Sequence, residues 1–227
     1  MKQKIFALGI ISLLSGLFGC SDSKTESQST TQETVDLDNI LFTTPTLESG
    51  LPRFTDKTDS CVFFHEDEWR QIEFVSKDQK NAIDKELAKI SDIHANHTHK
   101  SETYTAFRKV ALRDLIPQPL SIDFSKLTSY LTNQSIKTKG LGLENNSGQV
   151  KGGFYFSVNG INYYGLLENT TVKAFCIYSA DSEESLKSAA DQLSKLLANE
   201  NLYLVDWRAM SLFDEATIKT DLVKDIE

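Results

Sequence analysis

The chain is poor in the residues from which most catalytic and metal centres are built. It has three cysteines, four histidines, four prolines and two tryptophans. No Gly-x-Ser-x-Gly turn presents a serine nucleophile, and no His-Glu-x-x-His segment supplies a metalloprotease base. Gly140-Leu141-Gly142 lacks the third glycine of a dinucleotide fingerprint and the Gly-Lys-Ser/Thr end of a phosphate loop. Residues 138–153 therefore read as a glycine-rich loop, and no cofactor is implied. Basic residues are in deficit: 24 Lys and Arg face 32 Asp and Glu, a formal charge of −8. That sign disfavours nucleic acid and adhesion to anionic lipid, and it speeds encounter with a basic partner. No uninterrupted apolar run reaches the about 20 residues of a spanning helix.

What is present begins at the N-terminus. Met1-Lys2-Gln3-Lys4 is positive, and residues 5–18 are apolar apart from Gly9, Ser12, Ser15 and Gly16. A run this short is a signal-peptide core. It closes in Leu17-Phe18-Gly19-Cys20, which resembles the lipobox of bacterial lipoproteins, with Phe18 bulkier than the usual occupant of its place. The resemblance covers residues 1–20. It implies cleavage before Cys20, a diacylglycerol on its thiol and acylation of the new amino terminus. Two or more acyl chains anchor stably where one binds marginally. Ser21, where an aspartate would retain such a protein at the inner membrane, implies an outer-membrane location facing the periplasm if the cell has two membranes. The implied site is thus the cell envelope, with the membrane as partner through lipid on Cys20. Loss of residues 1–19 removes Lys2 and Lys4 and takes the charge from −8 to −10.

Residues 20–39 follow as a lipid-anchored tether rich in Ser, Thr, Gln, Asp and Glu, without an aromatic residue. Such a composition cannot offset its ordering entropy and reads as disordered. Residues 40–227 read as one globular α+β domain: a mostly antiparallel sheet with about three packed helices. Cys61-Val62-Phe63-Phe64 is a short apolar strand; the next strand, residues 69–75, alternates Ile72 and Phe74 with Gln71 and Glu73, so one face is expected to be polar. Ile83, Leu87 and Ile90 fall at helical spacing over residues 77–93, and His94 extends their stripe. Tyr104, Ala106, Val110 and Leu112 alternate as in a strand, and Asp123 caps a short helix carrying Phe124, Leu127, Tyr130 and Leu131.

The C-terminal third carries the strongest pattern. Asn159-Gly160 between two aromatic runs predicts a type I′ hairpin pairing Val158 with Ile161, Phe156 with Tyr163 and Phe154 with Gly165. A strand over residues 172–178 precedes a helix with the stripe Leu186, Ala190, Leu193 and Leu197, started by an Asp181/Glu184 capping box. A last strand over residues 202–207 completes a β-α-β unit, right-handed if its strands are parallel in one sheet.

Three groups of residues are candidates for chemistry. His94, His97 and His99 crowd one segment, and imidazoles suit zinc or copper. Their spacing matches no structural zinc pattern, so the expectation is a weak metal site or simply a polar helix end, where the dipole favours a histidine cation. Trp69-Arg70 and Trp207-Arg208 set tryptophan beside charge; buried, they are core aromatics, and exposed, they are binding anchors. Cys61 and Cys176 remain once Cys20 carries lipid, and an oxidising compartment predicts a disulfide between them. Cys176 is expected on the strand face of Val172 and Ala174. The first functional reading is a non-enzymatic protein-binding lipoprotein, such as an inhibitor or an immunity protein against an envelope-delivered toxin. A ligand- or metal-binding lipoprotein using the histidine segment is the alternative, and a structural or assembly lipoprotein the third.

Overall fold

The computed structural model describes residues 40–56, 60–100, 104–144 and 146–225. The expected signal segment, Cys20 and the expected tether lie outside them. The described residues all fall within one compact unit.

Seven strands form the main sheet: β1 (Ile72–Ser76), β2 (Ile122–Asp123), β3 (Gly153–Val158), β4 (Ile161–Glu168), β5 (Thr171–Ala180), β6 (Leu202–Asp206) and β7 (Ser211–Phe213). Their order is β3-β4-β5-β1-β6-β7, with every neighbouring pair antiparallel. The short β2 pairs with Thr171 and Val172 at the start of β5, and β1 with Cys176 and Ile177 further along it. Four helices pack on this sheet: α1 (Lys80–His97), α2 (Phe124–Leu131), α3 (Glu183–Asn199) and α4 (Ile218–Asp225). The fold is α+β with a mostly antiparallel sheet, as the sequence patterns predict.

The hairpin of β3 and β4 has the predicted register, Val158 opposite Ile161, Phe156 opposite Tyr163 and Phe154 opposite Gly165. Its turn residues adopt positive φ, 53° at Asn159 and 75° at Gly160, as a type I′ turn requires. Asp123 caps α2, accepting from the backbone N–H groups of Ser125 and Lys126. In α3 the cap falls one residue later than expected: Ser182 accepts from the Ser185 N–H at 3.2 Å. Strands β5 and β6 are both antiparallel to β1, which lies between them. They are therefore parallel to each other, joined by α3 as a crossover.

One sheet face is covered by α2, α3 and α4. Phe74, Phe154, Phe156, Tyr163, Phe175 and Leu204 meet Leu127, Leu193, Leu197 and Leu222 there. The other face is covered in two parts. Ile83, Ile90 and Ile93 of α1 pack on Val75, Val205 and Trp207. Beside them, Phe64, Trp69, Leu141 and Leu143 close over Tyr164 and Cys176. Both faces of β1 are thus buried, including the polar face that the alternation predicts. Gln71 and Glu73 are only 3% and 2% exposed.

Two further expectations change. Lys173 has no partner in β4, because Leu166 opposes Ala174 and Leu167 opposes Val172. This bulge turns Val172 toward the helices, while Cys176 packs with Tyr164 on the opposite face. The glycine-rich segment is no simple loop: Gly140–Leu143 is a strand paired in parallel with Cys61–Phe64. A Cβ on Gly142 would lie 2.3 Å from the Phe63 ring, and one on Gly140 2.9 Å from the Cys61 sulfur. These glycines serve close approach between strands rather than turning.

Candidate functional site

The link from Phe64 to β1 carries most of the unusual chemistry. His65 Nδ1 accepts from the Asp67 N–H and caps a short 3₁₀ turn over Glu66–Glu68. Trp69 then enters the core at 3% exposure, its ring 5.5 Å from that of Tyr164. Arg70 adopts a left-handed backbone, φ 59°, which costs a non-glycine residue energy that its surroundings must supply. They do so from several sides. The Arg70 N–H donates to the Tyr164 hydroxyl, Arg113 Nη2 donates to the Arg70 carbonyl at 2.6 Å, and Arg70 Nη2 pairs with Glu73 Oε1. The Tyr164 hydroxyl in turn donates to the Glu68 carbonyl at 3.0 Å. Gln71 Nε2 donates to the carbonyls of Pro45 and Asp67. The acidic turn is therefore held from beneath by a buried polar layer.

That layer contains two guanidiniums and one carboxylate. Arg113 is fully buried and stacks on Trp207, and burial lowers its pKa to about 10 despite the attraction of Glu73. Burial also opposes the Arg70 charge, but Glu73 outweighs it and the Arg70 pKa is raised. The Cys176 thiol and the Tyr164 phenol are pushed up, chiefly by burial. A neutral buried thiol is no nucleophile. Several polar atoms of this layer have no hydrogen-bond partner among the described residues: Arg70 Nε, Arg113 Nε and Nη1, both tryptophan Nε1 atoms, Gln71 Oε1 and Glu73 Oε2. More donors than acceptors are left over, in keeping with the excess of cations.

Above the layer lies a small groove of about 130 Å³, lined by Thr46, Leu47, Leu51, Glu66, Asp67 and Trp69. Leu51 is 54% exposed. Leu47 is placed by the parallel pairing of Thr46–Leu47 with Leu112–Arg113. Pockets for small ligands and cofactors run from about 300 Å³ upward. This groove holds one side chain.

The predicted site residues are distributed differently from expectation. Trp69 reaches the groove, but Trp207 is 0% exposed beneath α1 and is no surface anchor. Arg70 is turned inward, and Arg208 Nη1 lies 3.4 Å from Glu68 Oε2. The histidines do not converge. The His94 ring stacks on Phe107 with centroids 3.8 Å apart, and burial lowers its pKa. His97 ends α1, while His99 lies on the following strand with Nδ1 3.4 Å from Arg108 Nη2. Among the described residues no three or more His, Cys, Asp or Glu side chains are grouped to hold a metal.

Among the described residues no disulfide is seen between Cys61 and Cys176. Cys61 lies against Gly140 on the small parallel pair, and Cys176 is sealed under Tyr164 in the main sheet. Sequence reasoning missed Leu47, Leu51, Glu73, Tyr164 and Arg113. Nothing in their spacing brings them together, because their contacts are all tertiary. Comparison with family models, curated proteins and solved structures finds no match for the chain.

Proposed function

We propose that the chain is an envelope lipoprotein that acts by non-enzymatic binding of a basic protein, in the manner of an inhibitor or an immunity protein. The observation that carries this reading is how the chemistry divides between interior and surface. Glu73, Arg70, Arg113, Tyr164 and Cys176 are packed together under the sheet's cover. The groove beside Trp69 offers apolar surface, Thr46 and two acidic residues, in a volume suited to a single anchoring side chain. The chain's formal charge of −8 supports a basic partner. The anchor itself rests on the lipobox resemblance, which implies that binding takes place at a membrane surface.

The test is affinity capture from envelope extracts with the full chain as bait. A stoichiometric partner of basic character, retained through washing and weakened by added salt, is the expected result. A purified chain that turns over an envelope substrate at about 1 per second or faster would defeat the reading.

A further inference from the structure

The groove beside Trp69 joins two surfaces that few side chains satisfy together. Leu47, Leu51 and Trp69 make it apolar, and Glu66 and Asp67 make it acidic, while among the described residues no lysine or arginine lines it. A purely apolar occupant would strip water from two carboxylates and give them nothing in return. A short polar occupant would leave the leucines uncovered. Lysine and arginine satisfy both demands, because their methylene stems cover apolar surface while the charged head stays at a polar rim.

We propose that this groove takes one lysine or arginine side chain presented by a protein partner. The stem lies along Leu47, Leu51 and Trp69, and the head sits at Glu66 and Asp67. The proposal rests on the protein-binding reading above and gives it a location. Charge complementarity favours this occupant, and so does the stiffness of the rim. Glu66 and Asp67 belong to the 3₁₀ turn capped by His65, and the layer beneath holds that turn through Gln71 and Tyr164. A rim fixed before binding loses little entropy when the cation arrives. Asp67 Oδ2 lies 3.3 Å from His65 Nδ1, and both side chains are about half exposed, so the carboxylate is open to an incoming cation while the cap stays in place.

The test titrates the ¹⁵N-labelled full chain, in zwitterionic micelles, with acetylated and amidated Gly-Lys-Gly, Gly-Arg-Gly and the uncharged Gly-norleucine-Gly. Both cationic peptides should shift the signals of Leu47, Leu51, Glu66, Asp67 and the Trp69 indole, with a Kd on the order of 1 mM. The norleucine peptide should bind about tenfold more weakly, and Glu66→Gln with Asp67→Asn should weaken the cationic peptides by about tenfold. Leu51→Ser, at an exposed position that tolerates polarity, should also weaken them and serves if the double variant fails to fold. Equal binding of the norleucine peptide, or no shift at the groove, overturns the proposal. Envelope capture separates the two readings. Undiminished capture of the same partner by the folded double variant removes the groove and leaves protein binding standing. Cationic-peptide binding with no captured partner leaves the cation site standing and removes the protein-binding reading.

Discussion

The guanidinium carbon of Arg113 lies 4.4 Å from the centre of the Trp207 ring. A desolvated cation over an indole face gains about 2 kcal/mol or more, which offsets part of the cost of burying the charge. The rest of the compensation comes from the Arg70 carbonyl and from Glu73. Arg113 thereby fastens the segment before β1 to the layer beneath α1.

This arrangement ranks two substitutions. Glu73→Gln removes the carboxylate between Arg70 and Arg113 and leaves two buried cations, so it should destabilise the domain by about 3–5 kcal/mol. Arg113→Met leaves Arg70 opposite Glu73 and keeps volume over Trp207, so its loss should be about 1–3 kcal/mol. Urea unfolding of both variants checks the ranking. Equal losses would mean that the cation excess is not what the carboxylate relieves.

His94 makes stability depend on pH. Burial lowers its folded pKa, while in the unfolded chain it titrates near about 6.5. The unfolded state then binds the extra proton between those two values, so stability is complete above about pH 6.5 and falls as the solution is acidified below it. The melting temperature should drop across that window, and His94→Phe, which preserves a ring against Phe107, should lessen the drop. The hydrogen-bonded carboxylates Asp114 and Asp123 titrate lower still, because Lys89 and Ser125 hold them down. An unchanged profile in His94→Phe would assign the acid sensitivity elsewhere.

Cys176 should report global unfolding. It is 0% exposed, and burial pushes its thiol pKa up. In the Cys61→Ser variant, iodoacetamide labelling of the Cys176 peptide should be negligible in native protein and should rise with denaturant along the unfolding curve. Rapid labelling under native conditions would show local opening around Tyr164.

The proposed anchor is tested at Cys20. Cys20→Ser should release the chain from membranes or leave its leader uncleaved. Fractionation and migration identical to the parent chain would remove lipid from the account.

Legibility in the sequence followed the range of the forces involved. The β3–β4 hairpin was readable down to the pairing of Phe156 with Tyr163, because Asn159-Gly160 sets its register within two residues. The α3 stripe was equally clear, since Leu186, Leu193 and Leu197 face one core at helical spacing. The burial of Glu73 was not readable. Its partner Arg70 is local, but the layer that buries the pair includes Arg113 from a separate strand, and an isolated glutamate between apolar residues signals a solvated face. Of the groove, the sequence supplied Trp69 and its acidic neighbours but not Leu47 or Leu51. These come from residues 40–59, where no periodic pattern marks an element.

The place of β1 constrains how the chain can reach its final state. Its hydrogen-bonding edges are filled by β5 and β6, both from the far end of the polypeptide. An N-terminal fragment ending before Leu202 would leave β1 with one edge unpaired. A chain made N-terminus first exposes that edge until its last segments emerge. Contacts of such long sequence separation slow folding, and an unpaired edge meanwhile invites association with other chains. The sheet is thus built to complete itself late, when Leu202–Asp206 docks against β1.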